Sequence, residues 1–185
     1  FSKYFNGKGE KRLEKSMEKL PPKLFFIQQI LEENGIPGNF LYLAYIESEF
    51  TETAKSWANA VGFWQFMSPT ARSLGLQVNN YVDERKDIYK STLAFTKHIK
   101  YLLDYYNSVE LALAAYNCGT YRVNIAIRRG NTKNFWELAD KKLLPEETIM
   151  YVPKFLSVVN WAETNKNRVE ALSKVNGGYV VLKVN

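Results

Sequence analysis

The chain has 185 residues, of which 46% are hydrophobic and 24% charged, a composition that predicts a single globular core and is short for two. Its net charge of +6 favours a polyanionic partner, but lysine and arginine are scattered and form no nucleic-acid-binding motif, so nucleic acid is not expected. An anionic cell-wall polymer would satisfy the charge equally well. No apolar run approaches the length of about 20 residues that a membrane-spanning helix needs.

Helical periodicity accounts for most of the chain. Predicted helices cover residues 10–20, 23–34, 40–50, 87–106, 109–116, 121–129 and 145–163, with one further turn at 135–138. The glycines and the lack of periodicity in residues 1–9 predict a loosely ordered lead-in. Asn39 is positioned to cap the helix that carries Glu47. Residues 166–185 predict a polar tail that ends in YVVLKVN, whose alternation makes it a candidate strand. The predicted fold class is therefore all-α.

Cysteine and histidine each occur once, as Cys118 and His98. One cysteine excludes an intramolecular disulfide, and one histidine with one cysteine argues against a metal site of these residues, so neither metal nor cofactor is expected. Because the chain begins with Phe1 rather than methionine, we expect a processed or trimmed fragment from which any signal or lipid-anchor segment has been lost.

Glu47 lies in an apolar helical stretch whose residues one turn away are Leu43, Ala44 and Phe50. This face is expected to be buried, and burial disfavours the carboxylate and raises the pKa of the carboxyl group. Such a group retains a proton at neutral pH, which an acid acting on a glycosidic oxygen requires. The same pattern also fits a structural glutamate at the edge of an amphipathic stripe, so the local sequence leaves both interpretations open.

Glycoside cleavage usually uses two carboxylates, and no clear second one accompanies Glu47. Glu49 points about 200° away around the helix, because two residues separate them. Glu52, just beyond the helix end, is better placed. Farther along the chain, Tyr116-Asn117 ends an apolar helix and is equally consistent with a structural cap. Glu147, Thr148 and Tyr151 form a polar face that also fits a solvent-facing edge.

Three ordered motifs carry a resemblance to a known family. They are IESEFTETAKSWANAVGFWQFMSPTA, AAYNCG and EETIMYVPK. Their order and spacing resemble the soluble-lytic-transglycosylase-like (goose-type-lysozyme-like) domains, and most closely the membrane-bound lytic murein transglycosylase D branch. The resemblance covers roughly residues 24–161. It implies a lysozyme-like, multi-helix domain with a substrate groove over residues 24–163, preceded by a lead-in and short helix at 1–23 and followed by a tail at 164–185.

The resemblance also implies a reaction. Peptidoglycan would be cleaved between N-acetylmuramic acid and N-acetylglucosamine without water. Glu47 would first protonate the glycosidic oxygen and then act as base on the muramoyl 6-hydroxyl, which closes to a 1,6-anhydro end. One carboxylate performs both steps, which accounts for the missing partner. Two alternatives stay open: a hydrolytic muramidase using Glu52 or Asp83 as base, and a catalytically silent peptidoglycan-binding domain.

By position in the motifs, the resemblance assigns further roles. Ser56 would bond the N-acetyl or lactyl region of the sugar, and Glu147 and Tyr151 would orient Glu47 or the substrate. The residues expected to line the groove are Gln65, Met67, Tyr116 and Asn117. The implied partner is the peptidoglycan glycan strand, bound by a monomer in the periplasm or at the cell envelope. Association with the outer membrane or cell wall would use segments missing from this chain.

Overall fold

A computed structural model describes residues 7–174, which form ten α-helices and no β-sheet. The helices are α1 (Gly7–Met17), α2 (Pro21–Glu33), α3 (Leu41–Ser48), α4 (Ser68–Ser73), α5 (Ile88–Tyr106), α6 (Val109–Cys118), α7 (Thr120–Gly130), α8 (Phe135–Asp140), α9 (Glu146–Thr164) and α10 (Lys166–Lys174). Two 3-10 turns, at Gly38–Phe40 and Glu84–Lys86, complete the regular structure of this region. The all-α expectation is confirmed, and the candidate strand YVVLKVN lies outside the described residues.

Three local expectations were wrong. The chain becomes helical at Gly7, inside the expected lead-in, and the start of the expected polar tail forms α10. Asn39 does not cap α3, because the preceding turn is itself helical and leaves no extended residue at the helix start. The cap position is taken by Phe40, and the buried Asn39 Oδ1 has no hydrogen-bond partner within residues 7–174.

Helix α6 lies at the centre of the fold. Its residues 111–115 (LALAA) are apolar on all sides of the helix, and all five are buried. A helix without a polar face must be covered on all sides, and α5, α7 and α9 pack around it. The C-terminal end of α6 therefore emerges beside α9. Helix α3 also packs on α9, so Glu47, Tyr116 and Tyr151 come from three neighbouring helices.

The irregular segment between α3 and α4 is anchored by aromatic side chains. Trp64 is fully buried and stacks on Phe95 of α5, with ring centroids 3.7 Å apart and planes 9° from parallel. Its indole Nε1 donates a hydrogen bond of 3.0 Å to Thr92 Oγ1. Phe63 packs edge-on against Trp64 at 5.1 Å. These contacts hold the loop to the helical core, although the loop lacks regular structure of its own.

Candidate active site

A cavity of about 840 Å³ opens where α3, α6 and α9 meet the irregular segment. It is lined by all eight residues that the sequence predicts for the site: Glu47, Ser56, Gln65, Met67, Tyr116, Asn117, Glu147 and Tyr151. These residues span about a hundred positions of the chain, so their meeting is a product of the fold. The three sequence motifs therefore form one surface, open to solvent at one side.

Glu47 lies one residue before the end of α3, with its carboxylate at the cavity. The Tyr151 hydroxyl donates a hydrogen bond of 2.5 Å to Glu47 Oε1. Burial raises the pKa of Glu47 from its usual 4.5 to about 7; the Tyr151 hydrogen bond opposes this shift, and the nearby charge of Glu147 adds to it. The expected raised pKa is confirmed. At neutral pH the carboxyl group can therefore both donate and accept a proton.

Two tyrosine hydroxyls stay neutral in the site. Burial, as the leading cause, holds the pKa values of Tyr116 and Tyr151 well above their usual value. Both therefore act as hydrogen-bond donors across the physiological range. The Tyr116 hydroxyl donates to the Trp64 carbonyl oxygen at 2.7 Å. Tyr116 thus links the loop to α6, while Tyr151 hydrogen-bonds Glu47 directly.

The end of α6 is tied to the start of α9 through Asn117. Thr148 is completely buried, and its Oγ1 donates a hydrogen bond of 2.7 Å to Asn117 Oδ1. Asn117 Nδ2 in turn donates to Glu147 Oε1 at 3.4 Å. Because carboxylate oxygens only accept hydrogen bonds, Glu147 fixes the amide nitrogen of Asn117 on the side of the cavity rim and leaves the amide oxygen facing the Thr148 hydroxyl. Asn117 therefore orients the exposed Glu147 carboxylate there.

The chain reverses immediately after α3 through two consecutive residues in the left-handed region. Glu49 has φ of 50° and Phe50 has φ of 60°, which is rare for a bulky side chain. Burial of Phe50, which is 1% exposed, offsets this strain, and its ring packs on Phe63 at 5.8 Å. Ser48 Oγ also bonds the Phe63 carbonyl at 2.8 Å. The reversal directs the following loop back along the cavity beside Glu47.

Gln65 and Ser56 stabilise this loop as well as line the cavity. Gln65 Nε2 donates to the carbonyl oxygens of Ala54 and Gly62, at 3.1 and 2.9 Å. Ser56 Oγ accepts a hydrogen bond of 3.0 Å from Ala60 N. The Ser56 hydroxyl proton and the Gln65 amide oxygen are not used in these bonds. The Ser56 hydroxyl proton and the Gln65 amide oxygen are therefore available for hydrogen bonds to a ligand.

A buried arginine secures the loop from beneath. Arg85 is 6% exposed and donates to the carbonyl oxygens of Asn59 and Phe66, at 3.1 and 3.0 Å. Asp83 balances its charge through two bonds of 2.8 Å, and the guanidinium lowers the pKa of that carboxyl. Gly62 passes so close that a Cβ there would lie 1.9 Å from the Arg85 carbonyl oxygen. Only glycine fits this crossing.

The other acidic residues considered from the sequence lie outside the cavity. Glu49 pairs with Arg12, Glu52 with Lys23, and Asp83 with Arg85. Within residues 7–174, the carboxylates lining the cavity are Glu47 and Glu147.

Sequence reasoning missed several cavity residues. His98 of α5 lines the cavity with its ring against Phe66 and Tyr116, and burial lowers its pKa, which leaves it neutral at pH 7. Lys154 also lines it, and burial, as the leading cause, lowers its pKa. The spacing of Lys154 three residues after Tyr151 on α9 could have indicated it. His98 has no such local signal.

Residues 7–174 show neither a metal-binding cluster of side chains nor a membrane-spanning helix. They contain no group of three or more histidine, cysteine, aspartate or glutamate side chains arranged to hold a metal ion. None of the helices in this region is long and apolar enough to cross a membrane.

Comparisons with known proteins agree with the geometry. Residues 25–139 match the Transglycosylase SLT domain family. The chain is 34% identical over 150 residues to membrane-bound lytic murein transglycosylase D of Escherichia coli K12, an alignment covering 78% of this chain and 32% of that protein. It is 33% identical over 118 residues to a putative tributyltin chloride resistance protein of Alteromonas sp. strain M-1, covering 61% of this chain and 54% of that protein. The chain thus spans about a third of the transglycosylase it matches.

Two solved structures share the fold. The 70 kDa soluble lytic transglycosylase Slt70 of Escherichia coli superposes with a TM-score of 0.64 at 18% identity, over 84% of this chain and 26% of that one. The lytic transglycosylase Slt of Pseudomonas aeruginosa superposes with a TM-score of 0.62 at 19% identity, over 83% of this chain and 26% of that one. The expected lysozyme-like helical architecture is confirmed by this likeness.

Proposed function

The chain belongs to the transglycosylase SLT domain family, and from this premise we propose that it is a lytic transglycosylase acting on peptidoglycan. It would cleave the β-1,4 bond between N-acetylmuramic acid and N-acetylglucosamine and leave a 1,6-anhydro end. One observation carries the proposal: a carboxyl group with a pKa of about 7, Glu47, lies in an open cavity against a tyrosine hydroxyl. No second carboxylate is held beside it by a hydrogen bond within residues 7–174.

In the first step Glu47 acts as acid. Its proton passes to the glycosidic oxygen, the bond from C1 to that oxygen breaks, and the N-acetylglucosamine side leaves with a hydroxyl group. The newly formed Glu47 carboxylate keeps the Tyr151 hydrogen bond, which favours the charged form. Positive charge developing at C1 is then opposite an anion. Acid catalysis of this kind typically contributes a factor of about 100 to 10,000.

In the second step the same group acts as base. The Glu47 carboxylate accepts the proton of the muramoyl 6-hydroxyl, and that oxygen bonds to C1. Glu47 returns to its protonated form and no water is consumed. Because one group performs both transfers, its pKa should lie near the working pH, and about 7 meets this requirement.

The remaining predicted site residues have complementary proposed roles. Ser56, with its hydroxyl proton uncommitted, would bond the N-acetyl or lactyl oxygen of the sugar. Asn117 and Glu147, joined to each other at the rim, would orient sugar hydroxyl groups. Gln65, Met67 and Tyr116 would line the groove. Tyr151 would position Glu47 through its 2.5 Å bond.

The hydrolytic alternative needs a carboxylate that activates water. Glu52 and Asp83, the candidates from the sequence, are paired with Lys23 and Arg85 outside the cavity. This arrangement favours the anhydro-forming reaction. Glu147 is exposed and is the remaining acid of the described cavity lining. Within the described cavity lining, a hydrolytic reaction would therefore require Glu147 to activate the water.

Product analysis tests the proposal. Purified peptidoglycan is digested and the muropeptides are separated and weighed; anhydro ends are lighter by one water than reducing ends. We expect anhydro ends from the native chain and near-complete loss of turnover in Glu47→Gln, with binding retained. Glu52→Gln is the matched control and should retain activity, since its side chain lies outside the cavity. Exclusively reducing ends would support a muramidase, and no product from the native chain would support a silent binding domain.

The proposed substrate also suggests a location. We propose that the chain works at the cell envelope, as a monomer whose cavity is complete within one chain. The net charge of +6 would favour approach to an anionic wall polymer. Fractionation of cells expressing the full natural protein tests the location, and sedimentation tests the monomer. A dimer, or recovery away from the envelope, would overturn the respective part.

A further inference from the structure

Trp57 is 97% exposed and stands at the rim of the cavity that Glu47 and Ser56 line. An indole left in water contributes no burial to folding, although tryptophan offers more apolar area than other side chains. The other tryptophans are Trp64, Trp161 and Trp136, at 0, 8 and 40% exposed. The exposed position at the cavity rim is therefore one where the side chain serves something other than the core.

The turn that carries Trp57 is held rigidly. Ser56 N donates to Ala60 O at 2.9 Å, and Ser56 Oγ accepts from Ala60 N at 3.0 Å, so the turn is closed on both sides. Asn59, at its far end, has φ of 65°, a conformation that asparagine tolerates. Arg85 then bonds the Asn59 carbonyl at 3.1 Å. The indole thus projects from a fixed backbone, and a ligand would not have to order the loop first.

We propose that Trp57 is a stacking platform for one pyranose ring of the glycan strand, an aromatic subsite at the rim of the groove. The inference rests on the proposed function and specifies one of its contacts. A β-1,4-linked amino sugar carries its substituents around the ring edge and presents C–H groups on its faces. Those C–H groups complement the electron-rich face of an indole, while the edge needs polar partners.

The rest of the rim supplies those polar partners. Glu147 and Lys154 project from α9 into the cavity lining, and Ser56 lies next to Trp57 itself. An apolar platform on the loop and hydrogen-bonding groups on α9 match the amphipathic shape of a sugar ring. Such a rim is less suited to an extended polyanion, which would require a cluster of cations.

The test measures binding in the Glu47→Gln background, where turnover cannot consume the ligand. The probe is a β-1,4-linked N-acetylglucosamine hexasaccharide, titrated by calorimetry and by tryptophan fluorescence. We expect Trp57→Ala to weaken binding about tenfold. Trp57→Phe should keep most of the affinity but lose the blue shift in emission that accompanies covering of the indole. Tyr81→Ala is the control, because Tyr81 is 96% exposed and lies outside the cavity lining.

Each outcome has one meaning. If the parent binds the hexasaccharide and Trp57→Ala binds it equally tightly, the stacking role of Trp57 is wrong and the proposed function is unaffected. No binding by the parent and no anhydro product from the native chain count against the proposed function itself. Self-association that Trp57→Ala abolishes, with glycan affinity unchanged, would assign the indole to a contact between copies and also overturn the proposal. Circular dichroism should show all three variants folded, since both side chains are on the surface.

Discussion

Tyr151 donates a 2.5 Å hydrogen bond to Glu47 Oε1 across 104 positions of the chain. The bond joins α9 to α3 and opposes the larger effect of burial on the pKa of Glu47. Burial alone would keep the carboxyl group protonated and prevent it from acting as a base. The hydrogen bond alone would keep it ionised and prevent it from acting as an acid. Their balance at about 7 suits a group that must do both.

The first prediction concerns the pH dependence of the reaction. The opening step needs protonated Glu47, whose pKa is about 7, so kcat/KM should fall as pH rises through that value. The decline should approach tenfold per pH unit well above it. Initial rates of soluble muropeptide release from peptidoglycan between pH 5 and 9 would measure this. A profile that stays flat from pH 6 to 9 would contradict Glu47 as the acid.

The second prediction concerns Tyr151→Phe. Removing the hydroxyl removes a bond that favours the carboxylate, so the pKa of Glu47 should rise above 7 and the alkaline decline should move to higher pH. The rate should also drop by about 10- to 100-fold, since a hydrogen bond to a charged group contributes about 1.5–3 kcal/mol.

The control for that variant is Tyr101→Phe. Tyr101 is exposed on α5 and lies outside the cavity lining, so both the rate and the pH profile should match those of the native chain. If Tyr151 had only a structural role, Tyr151→Phe would lower the rate without shifting the pH profile. Displacement to lower pH would mean that the hydroxyl favours the protonated form of Glu47.

The third prediction is a gain of stability in Glu47→Gln. The folded-state pKa of about 7 exceeds the usual 4.5, so folding binds a proton in this interval and native stability is lost as pH rises through it. A shift of this size corresponds to about 3 kcal/mol. Glutamine does not titrate, so the variant should exceed the native chain by about that amount at pH 8 and match it below pH 4.5.

Denaturant unfolding of both proteins at pH 4 and pH 8 would measure this difference. A variant that is equally stable or less stable at pH 8 would show that the carboxylate is better solvated or better paired than its burial indicates. Glu52→Gln again serves as the control, because its side chain lies outside the cavity and no such gain is expected there.

Local sequence predicted the parts of the site that depend on a helical turn. Three apolar neighbours of Glu47 were enough to predict its raised pKa, and periodicity located α5, α6 and α9 within a few residues. The Tyr151 bond was beyond such reasoning, because helical spacing says nothing about which helices pack together. The family resemblance predicted that Tyr151 would orient Glu47 or the substrate, because it groups the three motifs into one site. His98 belongs to the cavity through tertiary packing alone.

The prediction that Asn39 caps α3 was wrong for a different reason. A capping side chain was expected from residue type, but the turn before α3 winds as a 3-10 helix and leaves no extended residue to cap from. Similarly, α10 has a polar sequence and is positioned by tertiary contacts: Arg168 pairs with Glu14 of α1, and Val169 is buried. Both cases show packing overriding a local preference.

The last prediction tests the crossing of the loop over Arg85. Gly62 has φ of 93° and a Cβ there would lie 1.9 Å from the Arg85 carbonyl oxygen. Gly75 has nearly the same φ, 92°, but nothing lies within 4 Å of its Cβ position. Gly75→Ala therefore adds only backbone strain, about 1–2 kcal/mol, whereas Gly62→Ala adds the same strain and a collision with backbone.

We expect Gly62→Ala to lose about 1–3 kcal/mol more than Gly75→Ala in denaturant unfolding, as overpacked positions do. Because the displaced loop carries Ser56, Trp57 and Gln65, the binding of the hexasaccharide should weaken in Gly62→Ala and stay unchanged in Gly75→Ala. Equal losses of stability in the two variants would mean that the loop moves aside freely. Lost stability with unchanged binding would mean that the close contact of Gly62 with Arg85 stabilises the fold but is not needed for binding of the hexasaccharide.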